Sequence, residues 1–282
     1  MTAWIKAALF LLCFAVLGGV VASVMWFKVH VFEKGAEAKD ELEEIRKVKV
    51  APHDFSPRLF SEAVTALADK DQEGARAKLV EILQFHREGS HGDAALRLLG
   101  ELNMDQLMSA DASLGKRSIE VASGQSVNSI ARQNQCTFHY IVRVNGLTNP
   151  AALQPHDRLW VCPLDFKVVV RLDASRLYLM RDDKFFKVYD LLAVRRPPGM
   201  RVPVRTKVTD KKVYINGRQV MLSSESYHQA EKAVDFGNSL SLRSVSEGED
   251  VPERSFGVFM RESDVDELMT VLRVGNRVEI NP

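Results

Sequence analysis

Residues 119–163 read IEVASGQSVNSIARQNQCTFHYIVRVNGLTNPAALQPHDRLWVCP, and this stretch decides the fold. Ile119-Glu120-Val121 alternates like a short strand, and Ser123-Gly124-Gln125-Ser126 is turn chemistry. Val127, Ile130 and Ala131 then recur at helical spacing up to a break at Gln135-Cys136-Thr137. A second helix carries Tyr140, Ile141 and Val144 to Asn145-Gly146. Asn149-Pro150 and Pro155-His156-Asp157 bend the chain into a closing strand, Leu159-Trp160-Val161. Strand, helix, helix and strand in so few residues predict a small βααβ module over 117–163.

These landmarks resemble the LysM domain. That family writes a strand, Gly-Asp-Ser/Thr-Leu, Ile-Ala, a Thr-rich turn, Asn-Gly-Leu and Pro-Gly-x-x-Leu-x-Val-Pro. Here the order is Gly124-Gln125-Ser126-Val127, Ile130-Ala131, Thr137, Asn145-Gly146-Leu147, then Pro155 through Leu159 and Val161 to Pro163. Gln125 replaces the usual Asp and His156 the usual Gly. The resemblance implies a shallow groove for N-acetylglucosamine-containing chains, that is peptidoglycan or a chitin-like glycan, lined by Gly124, Gln125, Ser126, Val127, Pro150, Ala151, Ala152 and Leu153. Backbone amides and short polar groups suit acetamido and hydroxyl groups, while Pro150 and Leu153 offer apolar contact to a sugar face. Ile130 and Asn145 read as structural.

After Phe166 the pattern turns to short alternating strands: Lys167–Leu172, Arg176–Met180, Lys184–Tyr189, Lys211–Tyr214 and Arg277–Ile280. Turns fall at Asp173-Ala174-Ser175, Arg181-Asp182-Asp183 and Asn216-Gly217, and only Asp264 to Leu272 reads as helical. Residues 166–282 are therefore expected to be mostly β. This order resembles the L,D-transpeptidase (YkuD-type) domain, with Val202-Pro203-Val204-Arg205-Thr206-Lys207 where that family has its Thr-Pro-x-Gly-x-Phe strand. Ser255-Phe256-Gly257-Val258-Phe259-Met260 stands where the family has Ser-His-Gly-Cys-x-Arg. Asp264-Val265-Asp266-Glu267-Leu268 and Gly275 to Ile280 follow its closing helix and strand.

The frame survives and the reactive positions do not. An acyl-transferring cysteine works because its thiolate is nucleophilic and a nearby His can activate it. By the resemblance the cysteine position is Val258, the His position is Phe256, and the Arg position is Met260 or, with a one-residue slip, Arg261. No cysteine follows Cys162, and His228 is the only imidazole of the domain. Ser255 has no base beside it in sequence. The expectation is a pseudo-enzyme with no catalytic residues, used for binding or scaffolding; the rival reading is an active L,D-transpeptidase joining peptide stems.

Ahead of the module, apolar residues recur at three and four in three runs. They are Phe60, Val64 and Leu67; Leu79, Ile82, Leu83 and Phe85; and Leu96 to Leu107. Breaks at Asp71–Gly74 and Glu88–Ser90 make residues 57–110 a three-helix spacer of tetratricopeptide-like or plain bundle type, with His86 and His91 at its surface. Residues 29–56 read as a charged linker.

From Ala7 to Phe27 there is no charged residue, and at about 1.5 Å per residue the run can cross a hydrocarbon core of roughly 30 Å. Lys6 and Lys28 flank it, with Trp4 and Trp26 at interfacial positions. Residues 1–28 are expected to be an uncleaved signal anchor; a cleaved leader wants a shorter core and a small-x-small site, which Ala22-Ser23-Val24 supplies poorly. The expected location is the inner (cytoplasmic) membrane, single-pass, with the soluble domains in the periplasm or outside the cell and an envelope protein as a further partner.

Composition narrows the rest. Lys+Arg 38 against Asp+Glu 37 leaves a formal charge of +1, which gives no field to draw the chain onto nucleic acid. Three cysteines, Cys13, Cys136 and Cys162, have no CxxC spacing, so neither a metal site nor any cofactor is expected. Cys136 and Cys162 fall inside one module and read either as two buried thiols or as a disulfide. The fold class expected is α+β multidomain: N-terminal transmembrane helix, helical spacer, βααβ LysM-like module and mostly β L,D-transpeptidase-like domain.

Overall fold

A computed structural model describes residues 25–26, 53–215, 218–220, 230–237, 240–246, 248–252 and 256–282. The expected membrane run 7–27 lies outside these apart from Met25 and Trp26, as do most of the expected linker, His228, Ser255 and the turn at Asn216-Gly217. Among the described residues no helix is long and apolar enough to cross a membrane.

Three helices come first: α1 (Ser56–Ala68), α2 (Gln72–Phe85) and α3 (Gly92–Met108). Leu59 and Ala63, one turn apart on α1, meet Ala75, Leu79 and Ile82 of α2 and Ala95, Leu99 and Leu102 of α3 in a small core of their own. The N-terminus of α2 is capped by Asp71, whose side chain accepts from Gly74 N at 2.9 Å. His86 and His91 are half-buried rather than superficial, because their rings pack on Phe55 and Phe60 at 5.6 and 5.3 Å between centroids.

The βααβ module follows as β1 (Arg117–Glu120), α4 (Val127–Gln133), α5 (Phe138–Val144) and β2 (Arg158–Val161), with a 3-10 turn at Pro150–Ala152. β1 and β2 form a two-stranded antiparallel sheet in the register Ile119 to Leu159. Both helices begin where the chain supplies caps: Ser126 with Ser129 forms a capping box on α4, and Thr137 accepts from Tyr140 N at 3.0 Å on α5. Ile130, Ala131, Tyr140, Ile141 and Val144 line the inner face at helical spacing.

The C-terminal region is mostly β. Its strands are β3 (Phe166–Arg171), β4 (Arg176–Arg181), β5 (Lys184–Asp190), β6 (Ala193–Arg195), β7 (Val204–Ile215), β8 (Arg218–Val220), β9 (Glu231–Phe236), β10 (Ser241–Val245), β11 (Gly257–Arg261) and β12 (Arg277–Asn281). One helix, α6 (Glu262–Val271), lies between the last two. The sheet runs β5-β4-β3-β12-β7-β9-β10-β11-β6, with β8 on β7. β12 therefore slots into the middle, parallel to β3 and antiparallel to β7. Alternation is clean on β3, where Phe166, Val168 and Val170 are buried and the residues between them are half-buried or exposed. The chain is thus of mixed α+β class with a mostly β C-terminal region.

The module and the β region share one hydrophobic cluster, running from Met104 and Leu107 through Tyr140, Leu159 and Val161 to Phe166, Leu268 and Ile280. Polar ties reinforce it. Leu164 N donates to Gln135 O at 2.9 Å, Arg273 Nε and Asn276 Nδ2 donate to Leu164 O, and Thr137 Oγ1 donates to Thr270 O at the end of α6. Helix α3 serves both cores, giving Leu99 and Leu102 to the small one and Met104 and Leu107 to the large one. It is also fixed to edge strand β5 by Arg97 to Asp190, by Lys187 to Glu101 at 2.6 Å, and by Asn103 Nδ2 to Phe186 O at 2.7 Å.

Candidate functional site

The loop leaving β1 and the loop entering β2 meet at one end of the two-stranded sheet, because Glu120 pairs with Arg158 as the last step of the ladder. Val121 N donates to Asp157 O at 2.9 Å, and His156 N donates back to Val121 O at 2.8 Å, which closes this end. The first loop then turns through Gly124 at φ +77, a conformation glycine adopts without the Cβ penalty, and nothing stands within 4 Å of where that Cβ would be. Gln125 Oε1 accepts from Ala122 N at 2.9 Å, and its Nε2 donates to Gln133 Oε1 at 3.0 Å. The amide thus closes the turn and ties it to the last residue of α4.

On the other side, Asn149 Oδ1 accepts from Ala151 N at 3.2 Å and sets the 3-10 turn. Ala151 and Ala152 are exposed, Pro150 and Leu153 half-buried, and Leu153 packs against the large core. Of the residues expected to line a groove, Gly124 and Ser126 are exposed and Gln125 half-buried. The Val127 side chain instead points into the core, at 2% exposure, so only its backbone faces the turn. His156 holds a backbone φ of +73, in the region where a glycine would be unstrained, and its Nδ1 meets Glu120 Oε1. Ile130 is fully buried, and Asn145 bridges Ile141 O and both backbone polar groups of Trp160, so both are structural.

Gln133 and Arg158 belong to this end as well, and the sequence reading did not include them. The interval from Gln125 across one capped seven-residue helix is the signal for Gln133, and the pairing with Glu120 brings in Arg158.

A model of the LysM domain matches residues 119–161. Residues 119–161 are a LysM domain. The match ends at Val161, so the LysM domain comprises β1, α4, α5 and β2 with the two loops just described. No curated protein matches the chain. Solved structures similar to parts of it include Mycobacterium tuberculosis L,D-transpeptidase 1, at 13% identity and TM-score 0.29 over 42% of this chain and 62% of that one. An L,D-transpeptidase of Enterococcus faecium matches at 14% identity and TM-score 0.29 over 42% and 51%, and one of Stackebrandtia nassauensis at 14% and 0.31 over 81% and 91%. The chain thus spans 62% and 51% of the lengths of the first two.

Cys136 and Cys162 are both free and buried, so the disulfide reading does not hold. Cys136 Sγ donates to Cys162 O at 3.0 Å, and burial pushes its thiol up to about 11. A thiol held protonated in this way is a packing group rather than a nucleophile.

In the β region, Val258 is the second residue of β11, with Leu242 and Val194 as its neighbours on β10 and β6. It is fully buried, as is Met260, whereas Phe256 is 48% exposed just before the strand. Gly257 is required by packing, since a Cβ there would stand 2.8 Å from Ser241 O. Arg261 turns outward and pairs with Asp264 at 3.0 Å. Of the positions that the sequence pattern singles out, Val258 and Met260 are core, Phe256 is at the surface and Arg261 is held in an ion pair. Among the described residues no group of three His, Cys, Asp or Glu side chains gathers as a metal site.

Proposed function

We propose that this is a membrane-anchored protein of the bacterial cell envelope that holds peptidoglycan or a related N-acetylglucosamine glycan through its LysM domain. LysM domains bind such glycans, and this one keeps Gly124, Ser126, Ala151 and Ala152 exposed on turns whose backbone is fixed by local hydrogen bonds. The uncharged run 7–27 supports single-pass anchoring with the folded part outside the inner membrane.

The β region serves in this reading as a non-catalytic L,D-transpeptidase-like unit that binds or scaffolds. The observation that carries it is Val258: a fully buried isopropyl group has no proton to lose and no lone pair to donate, and no cysteine follows Cys162. The test uses the full chain in mild detergent. It should sediment with purified sacculi, and on incubation with tetrapeptide muropeptides it should yield no cross-linked product and no covalent carbapenem adduct by mass spectrometry. An adduct or a cross-link would make it an active L,D-transpeptidase. Protease outside intact spheroplasts should digest the chain beyond Lys28, and protection would overturn the exported topology.

A further inference from the structure

The sheet of the β region has one face in the core and one outside it. Along β3 and β12 the residues Val168, Val170, Val278 and Ile280 are fully buried, so Lys167, Val169, Arg277 and Glu279, which alternate with them, point the other way. The registers align this outer face into rows across the strands. Glu279 stands between Arg205 of β7 and Val169 of β3, and Arg277 stands between Lys207 of β7 and Lys167 of β3. Neighbouring strands lie about 4.8 Å apart, so the second of these rows sets three cations side by side within about 10 Å.

The other rows are matched in charge. Arg205 has Glu279 beside it at 3.8 Å, and Arg171, further along β3, is paired with Asp173 at 2.8 Å. In the row of three, Asp183 meets Lys167 at 2.8 Å, while Lys207 and Arg277 are exposed and form no ion pair among the described residues. Three cations less one carboxylate, 3 − 1, leave +2 in a chain whose whole formal charge is +1. Like charges directly opposite one another on a sheet are destabilising, so folding alone disfavours this row. Packing does not require it either, since Lys207 and Arg277 are both at the surface.

From this unmatched row we infer that the outer face of the β region docks on the anionic headgroups of a phospholipid bilayer. A sheet face sets its charges side by side across a surface, which suits a plane of phosphates better than one small anion. The inference rests on the anchoring reading for its partner, because the uncharged run 7–27 would bring a bilayer to the same chain, with residues 28–52 between that run and the described fold. Each cation near an anionic surface strengthens attachment about fivefold, so an excess of two gives an expected preference of about ten- to thirtyfold over a neutral surface at low salt, fading as salt screens it.

The full chain is reconstituted in nanodiscs of phosphatidylcholine and floated with vesicles of phosphatidylcholine alone or with about one-third phosphatidylglycerol, at low salt and at about 0.5 M salt. The disc-borne chain should float with the anionic vesicles at low salt by the preference given above and lose that preference at high salt. Lys207→Gln/Arg277→Gln should lose it at low salt, whereas Lys207→Arg/Arg277→Lys, which keeps both charges, should retain it. The Gln variant should melt at or above the parent temperature, because it relieves repulsion within the row. Equal flotation on both vesicles overturns the inference, as does a preference that survives in the Gln variant. A Gln variant that melts lower would give the row a structural role and overturn it as well. A chain that does not enter the discs would instead overturn the anchoring reading; that chain is floated directly with the same vesicles, and the same outcomes decide the docking face.

Discussion

The LysM domain and the β region treat their expected functional positions in opposite ways. In the LysM domain the turn residues stay at the surface, with Gly124, Ser126, Ala151 and Ala152 exposed on backbone held by local caps. In the β region the positions that the sequence pattern singles out differ in exposure, with Val258 and Met260 fully buried and Phe256 on the surface. A binding surface built from backbone turns needs only the right caps and a glycine where φ is positive. A reaction centre needs particular side chains converging on one atom. A surface of the first kind can be read from local sequence, whereas one of the second kind depends on contacts between distant strands.

Placing a charge at the buried position is the hardest test of this contrast. Val258→Asp would bury a carboxylate between Leu242 and Val194 with no cation beside it, at a cost of more than about 4 kcal/mol, and the chain should fail to fold. Val258→Cys is close in size and should lose only about 1 kcal/mol. It should nevertheless form no carbapenem adduct, since no activating imidazole accompanies it in sequence. An adduct on Val258→Cys would show that the reaction centre is still organised.

A second test asks whether the two regions are separable at all. Phe166 is 1% exposed, stacks edge-on with Phe186 at 5.0 Å, and lies under the Arg181 guanidinium at 5.8 Å. Phe166→Ala should cost about 3–5 kcal/mol and lower the melting temperature by roughly 8–15 °C. Because the hydrophobic cluster is continuous from the LysM domain into the sheet, signals from Trp160 and from the β region should fall in one transition. Two separate transitions would mean that the LysM domain is an independent unit.

The sequence showed most of the LysM domain because its signals are local: turn residues, two caps and helical spacing lie within a few residues of one another. The outer strands of the β region were also legible, since β3, β4 and β5 alternate cleanly and are joined by tight turns. Strands β9, β10 and β11 were not read as strands. They are buried on both faces at Ala233 and Val234, or Val258 and Phe259, so alternation disappears. The burial of Val127 and the engagement of Gln125 with Gln133 also escaped notice, because both depend on how the loop folds back on α4.

The β region carries a half-buried lysine whose titration offers a third, smaller test. Lys211 Nζ donates to Met269 O and Leu272 O at the C-terminal end of α6, where the helix dipole favours positive charge, yet burial lowers its pKa to about 8. Between about pH 8 and the unfolded value of 10.5 the unfolded chain binds more protons than the folded one, so stability rises with pH across that window. Urea midpoints should climb from pH 7.5 to 9.5 by an amount worth up to about 2 kcal/mol. Lys211→Met should flatten the rise. A flat profile in the parent chain would place Lys211 in contact with solvent.

The mildest test falls on His156, where the chain keeps a backbone suited to the family's glycine but carries a side chain. His156 sits at φ +73, a region that costs a residue with a Cβ about 1 kcal/mol relative to glycine. Its compensation is the contact of Nδ1 with Glu120, which is largely solvent-exposed and so worth between zero and about 1 kcal/mol. Relief of the strain therefore outweighs loss of the pair, and His156→Gly should raise stability by about 0.5 kcal/mol, or roughly 1–2 °C in melting temperature. Because the backbone bond from residue 156 N to Val121 O is untouched by the change, glycan binding should stay within twofold. Destabilisation by His156→Gly would show that the imidazole holds the mouth of the groove together, and the departure from the family glycine would then be a functional feature of this LysM domain rather than a tolerated strain.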